Sequence, residues 1–214
     1  MGRAGAILLA VMLAMCGVSG AENPYEIHID VDRKLLTLFS GDEILRTYTV
    51  ATGAWDTPTP LGVFYINSRF SGEMSGFGTC FLGLSVPWGQ YGIHGTNKPE
   101  SIGTSASHGC IRMRVKDAEE LFALVPDWTR VVIQQGAYGE LGDTLRPLKP
   151  GDRSSMVMAV QRKLRALGYG LWPDGVYGES TEQAVRRARQ DFALPAGNHV
   201  DWAFYQAIGL TLFE

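Results

Sequence analysis

From Tyr25 onward apolar and polar residues take turns: Tyr25, Ile27, Ile29 and Val31 are separated by polar or charged neighbours. Alternation with a period of two marks a strand with one buried face, and Asp32-Arg33 then reads as a tight turn. Lys34 to Phe39, the break at Ser40-Gly41-Asp42, and Ile44 to Val50 continue the pattern, so the chain is expected to open with an antiparallel sheet. Thr57 to Gly62 carries Pro58 and Pro60, which lack the N–H that a central strand must donate. It therefore predicts an exposed loop ahead of a strand at Val63 to Asn67. One strong helix is expected before residue 140. Ala118, Leu121, Phe122 and Val125 share a face, Asp117 is placed to cap its start, and Pro126 ends it. Thr129 to Gln134 then reads as a closing strand.

Between Gly136 and Gly151 the texture changes to Gly, Pro and isolated charges, the mark of a boundary. Beyond it the period becomes helical. Val157, Val160, Leu164 and Leu167 fall on one face with Gly168 as the stop. A second helix is expected from Ser180-Thr181 through Ala184, Val185, Ala188 and Phe192 to Pro195, and a short third from Trp202 to Ile208. The division expected is a leader at 1–21, a β-rich unit at 22–135, a linker at 136–148 and a helical unit at 149–214.

The leader changes the chemistry that the rest can do. Arg3 precedes a small and apolar run from Ala4 to Met15, and Ser19-Gly20-Ala21 offers the small residues a signal peptidase reads. The run is shorter than the ~20 residues a bilayer core requires, so a cleaved export signal is expected and not a membrane anchor. Met15 fits poorly before a lipidated Cys16. The formal charge is -3, and loss of Arg3, the one charge in residues 1–21, takes it to -4. Nothing in that balance suggests a nucleic-acid partner.

Export leaves Cys80 and Cys110 in an oxidising compartment, where two cysteines are ordinarily read as a disulfide. Cys80 lies in the apolar stretch Gly76 to Leu82 and is expected to be a buried, protonated strand thiol, with a Cys80–Cys110 bridge as the alternative. Cys110 has His108 two residues before it and His94 further upstream. An imidazole can take the thiol proton, and the glycine at 109 lets the backbone turn so that nearby amides converge on an oxyanion. The residue types permit Cys/His acyl transfer. They also permit a zinc site, although the spacing offers no fourth ligand, and a plain surface loop.

Tyr91-Gly92-Ile93-His94-Gly95-Thr96-Asn97, Ser101-Ile102-Gly103 and Ser107-His108-Gly109-Cys110-Ile111-Arg112-Met113, with the Thr-Pro-x-Pro-x-Gly loop at Thr57 to Gly62, resemble the signature of the YkuD-type L,D-transpeptidase catalytic domain. The resemblance covers about residues 24 to 135. It implies a mostly β fold, a sandwich with one helix, in which Cys110 attacks a peptidoglycan stem peptide and His94 is the proton donor and acceptor. By the same resemblance His108 and Gly109 shape the turn or the oxyanion hole, and Arg112 orders the loop or meets a substrate carboxylate. Tyr91, Gly95 and Ser107 line the substrate side. The expected product is a 3→3 crosslink formed through a thioester, with no cofactor or metal. With water as acceptor the site is an L,D-carboxypeptidase, and with an oxidised cysteine the protein only binds wall. A carbapenem is expected to acylate Cys110, and penicillins to do so poorly.

Asp174-Gly175-Val176-Tyr177-Gly178 with Thr181, Ala184-Val185 and Leu164, Leu167-Gly168-Tyr169 resembles the three-helix peptidoglycan-binding module of cell-wall enzymes, over roughly 149 to 210. Ala188-Arg189 departs from that pattern, which has an aromatic followed by glutamine there. The lost ring leaves a gap for Phe192 or Trp202 to fill. The whole reading is that of an extracytoplasmic monomer acting on peptidoglycan stem peptides, with no membrane span after leader removal. Because the His94 to Met113 segment precedes the linker, removing residues 149–214 is expected to leave thiol reactivity nearly unchanged.

Overall fold

The computed structural model describes residues 23–136, 141–142 and 144–210. The expected leader lies outside the described residues. Among the described residues ten strands come in the order β1 (Tyr25–Asp30), β2 (Leu35–Ser40), β3 (Glu43–Thr49), β4 (Thr52–Gly53), β5 (Gly62–Met74), β6 (Gly78–Leu84), β7 (Tyr91–Gly95), β8 (Ser105–Ser107), β9 (Ile111–Met113) and β10 (Arg130–Gln134). Helix α1 (Val115–Leu124) falls between β9 and β10, and α2 (Ser155–Ala166), α3 (Glu179–Asp191) and α4 (Trp202–Ala207) follow.

Eight strands form one mixed sheet in the order β3-β2-β1-β10-β5-β6-β7-β9, and β4 and β8 form a small parallel pair. The alternation at the start holds: Ile27 and Ile29 are fully buried, as are Leu36 and Leu38 opposite them on β2. β10 is not an edge. It lies parallel to β1 and antiparallel to β5, with Val131 and Ile133 buried, and so joins the two halves of the sheet. β5 runs well past Asn67, because its exposed second half keeps laddering with β6 after a register shift. Its first half pairs with β10 and its second with β6, so the strand is the corner about which the sheet folds over one shared core.

Helix α1 has Arg114 at its N-cap with no side-chain cap. Asp117 sits in the first turn, where it pairs with Arg114 at 3.7 Å. Its carboxylate favours the positive end of the helix without capping it.

The three C-terminal helices enclose a second core containing Leu148, Val157, Val160, Leu164, Tyr177, Val185 and Phe204. Ser154 caps α2, and Gly168, at φ +93, follows its end. Leu167 is half exposed and not on the buried face, because it stands at the C-cap after the helical turn has ended. Neither Phe192 nor Trp202 fills the gap left at 188–189, since both are substantially exposed. Arg189 occupies it. Its side chain is 2% exposed and donates to the carbonyls of Pro195 and His199 and to the Asp201 carboxylate. Burial would push the Asp201 carboxyl up, but the Phe204 N–H and the Arg189 guanidinium hold it below its ordinary value. A buried guanidinium is tolerated here because its donors meet acceptors.

The second core touches the first. Met158 is counted in the sheet core, Val176 packs on it, and the Leu61 N–H donates to Ser155 Oγ at 2.7 Å.

Candidate active site around Cys110

The turn before β9 is held by one side chain. Ser107 is 2% exposed; its Oγ donates to the Cys110 carbonyl at 2.5 Å and accepts from the Gly109 N–H at 3.1 Å. Its own carbonyl accepts from the Ala54 N–H and from Thr57 Oγ1, which ties the turn to the proline loop. Gly109 sits at φ +105, where side chains are disfavoured. A Cβ there would lie 2.6 Å from the Tyr91 ring and 3.2 Å from the Pro58 carbonyl. Glycine is therefore required twice at this position, by conformation and by space.

This turn delivers Cys110 beside β7. In the parallel register of β7 and β9, Ile93 pairs with Ile111 and His94 with Arg112. Ile93, Ile111 and Met113 point into the core, so by the two-residue period His94, Arg112 and the Cys110 side share the opposite face. The same logic separates the two cysteines. Cys80 is buried on the core face of β6 and its neighbour Phe81 faces the other way, opposite His94. Both cysteines are free thiols, and burial pushes the Cys80 thiol up.

His94 is nearly fully buried. Its ring stacks on Phe81 at 5.9 Å, with Phe77 at 4.6 Å, and its Nδ1 is bonded to the Gly95 carbonyl at 2.5 Å. That bond puts the proton on Nδ1 and leaves Nε2 as the basic nitrogen. Burial pushes the His94 pKa down, with Arg112 adding to the effect against the Gly95 and Phe77 carbonyls. Burial pushes the half-buried Cys110 thiol up, opposed by the Gly92 backbone and the Arg112 cation. The two shifts run in the directions that keep both groups neutral at rest. Among the described residues no hydrogen bond joins the two side chains.

The remaining expected residues divide. Tyr91 packs against Gly109, and Gly95 lets β7 pass close to Val115. Arg112 has no carboxylate within ion-pairing distance among the described residues, while its charge reaches both His94 and Cys110. His108 is exposed, and the bonds that shape the turn belong to Ser107. The sequence reading missed Phe77, Phe81 and Gly92. The signal was present for Phe81, because alternation in β6 sets it opposite the buried Cys80. Among the described residues no three His, Cys, Asp or Glu side chains are gathered to hold a metal ion. Concavities of about 560 and 550 Å³ lie elsewhere, beside Trp128 and beside Trp172, and neither is lined by Cys110, His94 or Arg112.

Residues 24–133 match the YkuD family model, described as an L,D-transpeptidase catalytic domain, and residues 153–198 match a model described as a peptidoglycan binding domain. A Bacillus subtilis (strain 168) protein with the provisional name L,D-transpeptidase YkuD is 46% identical over 112 residues, covering 52% of this chain and 67% of that one. A second protein from that strain, provisionally named L,D-transpeptidase YqjB, is 32% identical over 126 residues, covering 52% and 71%. An L,D-transpeptidase structure from Mycobacterium smegmatis is 21% identical, with a TM-score of 0.45 over 52% of this chain and 59% of that one. No helix among the described residues is long and apolar enough to cross a membrane.

Proposed function

Because the chain belongs to the YkuD family of L,D-transpeptidase catalytic domains, we propose that it is an exported cysteine L,D-transpeptidase that crosslinks peptidoglycan stem peptides. Cys110 is the nucleophile and His94 the general base. The observation that carries this reading is the Ser107-pinned turn, which holds a partly buried thiol on the face of β7 and β9 that bears a histidine with its Nδ1 already engaged.

The substrate is a tetrapeptide stem. As the Cys110 sulfur attacks the carbonyl of the third, diamino acid residue, its proton passes to His94 Nε2, because a neutral thiol needs a base at the moment of attack. The Gly109 N–H is spent on Ser107 Oγ, whereas the Cys110 N–H has no partner among the described residues, so it is the donor left for the oxyanion. Collapse breaks the peptide bond, His94 returns the proton to the leaving nitrogen, and D-alanine departs from a thioester on Cys110. An amine from a neighbouring stem then attacks the thioester, its proton passes through His94 to the departing thiolate, and a 3→3 crosslink forms. Arg112 holds a stem carboxylate near the thiol, beside Tyr91 and Gly95. Water in place of the amine gives L,D-carboxypeptidase activity at the same site.

The C-terminal helices are read as a wall-binding module, and the leader as an export signal that places the enzyme outside the cytoplasm. The test is turnover of purified tetrapeptide stems by the full-length protein. D-Alanine release with crosslinked dimer is expected from wild type and neither from Cys110→Ala. Turnover by Cys110→Ala at the wild-type rate overturns the reading.

A further inference from the structure

The motif loop of the helical module does not face solvent alone. Gly175, at φ +72, lies against the indole of Trp88, where a Cβ would come within 2.1 Å of the ring. Trp88 is buried in the sheet core, edge-on to Phe64. The next residue, Gly89, is overlain by the Tyr91 ring, with 2.7 Å left for a Cβ, and the other edge of that ring lies on Gly109. One line of van der Waals contacts thus runs from Gly175 through Trp88-Gly89 and Tyr91 to the residue before the nucleophile. A second line begins at Ser155. Its Oγ accepts from the Leu61 N–H, at the end of the proline loop whose Pro58 carbonyl closes on Gly109 from the other side. Ser154, not Ser155, caps helix α2, so the Ser155 hydroxyl is free for this contact. On the module side Gly175 is held by the buried Gln161, whose Oε1 accepts from the Asp174 and Gly175 N–H groups.

We propose that the helical module is a structural wall of the active site, and that Gly175 and Ser155 are positioning residues that set the Ser107–Cys110 turn through Tyr91 and the proline loop. Close packing transmits such contacts because a dense interior has little slack to absorb a displaced ring. The consequence departs from what chain order alone suggests: reactivity at Cys110 depends on residues beyond the linker. The proposal rests on the reading of Cys110 as an acyl-accepting nucleophile.

The test uses full-length variants and two reagents. Acylation of Cys110 by a carbapenem requires the turn to present its oxyanion donor, whereas alkylation by iodoacetamide requires only an accessible thiolate. Both are followed by mass at the Cys110 peptide. Gly175→Ala is expected to slow acylation by about 10²-fold, the scale of a misplacement near 1 Å, while alkylation at neutral pH changes far less. Ser155→Ala, which inserts nothing and removes one acceptor, is expected to slow acylation several-fold. Gly151→Ala is the control for backbone strain, since Gly151 is at φ +96 in the same module with nothing within 4 Å of its Cβ position. It should acylate as wild type does. Wild-type acylation in both Gly175→Ala and Ser155→Ala, or an equal loss in Gly151→Ala, overturns the proposal. If wild type alkylates at Cys110 yet resists acylation, it is the proposed function that fails. Positioning is then read from the pH profile of alkylation, which must move in Gly175→Ala and stay in place in Gly151→Ala.

Discussion

Ser107 in the β-rich half and Gln161 in the helical module are both buried, and each holds a glycine-bearing loop by its side chain. Gln161 completes its work internally. Its amide donates to Asp174, Val176 and Thr181, its oxygen accepts from two backbone N–H groups, and its polar atoms are all occupied. Ser107 also uses its hydroxyl twice, yet the loop it holds keeps, among the described residues, an unpaired Cys110 N–H, a thiol that is not fully buried and, nearby, a guanidinium without a carboxylate. A satisfied network fixes a fold. One that stops short of satisfaction, with its spare donors turned to one place, can bind charge that develops during a reaction.

The sharpest way to break this contrast is at the base. His94→Ala should slow acylation of Cys110 by about 10²–10⁴-fold, the range for general-base assistance. His108→Ala, at an exposed ring, should cost far less, and a larger loss there in stopped-flow acylation would reverse the two assignments. Ser107→Ala comes next. It frees the Gly109 N–H and the Cys110 carbonyl in a buried turn, which costs about 1–3 kcal/mol for an unsatisfied group. Acylation should fall about 10–10²-fold if the turn loosens by a few tenths of an ångström to 1 Å, with iodoacetamide labelling retained. The module supplies the counterpart: Arg189→Leu strands the Asp201 carboxylate and two carbonyls, and should lower stability by about 3 kcal/mol in urea unfolding. Asp201 keeps a third of its side chain in water, which sets that figure at the low end for a broken buried pair. Acylation by folded Arg189→Leu should stay near wild type, since none of its partners lies on either contact line to the turn.

The smallest expected effects are those of pH. The His94 pKa is depressed by burial, so the unfolded chain binds more protons than the folded one between that depressed value and the ordinary histidine value of about 6.5. Stability is therefore full above about 6.5 and falls as pH drops through this window. The raised thiols of Cys80 and Cys110 act at the other end, where stability falls as pH rises past the ordinary cysteine value. Urea midpoints against pH should show both limbs, and His94→Gln should flatten the acid limb. Alkylation of Cys110 should climb through alkaline pH without a plateau near neutrality; a neutral plateau would indicate a preformed thiolate–imidazolium pair.

Much of the architecture was legible because local patterns agree with it. Alternation located β1 to β3, Pro58 and Pro60 marked the loop, and the helical period found α1 to α4. What escaped depends on partners distant in the chain. β10 is central because β1 and β5 both need its buried Val131 and Ile133, which its own five residues do not reveal. The second half of β5 is polar and exposed, so no period announces it. Ala188-Arg189 looked like a missing ring, because the acceptors of Arg189 at Pro195, His199 and Asp201 are brought to it only by the fold. At the site, the motif residues suggested the chemistry proposed above, but which side chain holds the turn, Ser107 and not His108, needed the turn itself. The contact of Gly175 with Trp88 joins segments that no local pattern connects.

The central claim is that the Ser107-held turn makes Cys110 the acyl carrier. Intact-mass spectrometry of wild type and Cys110→Ala, each mixed with purified tetrapeptide stem, tests it most directly. Wild type should gain the mass of a stem lacking its terminal D-alanine, mapped by fragmentation to Cys110, and Cys110→Ala should gain nothing. D-Alanine release by wild type with no adduct under rapid quench, or the same adduct on Cys110→Ala, would contradict it.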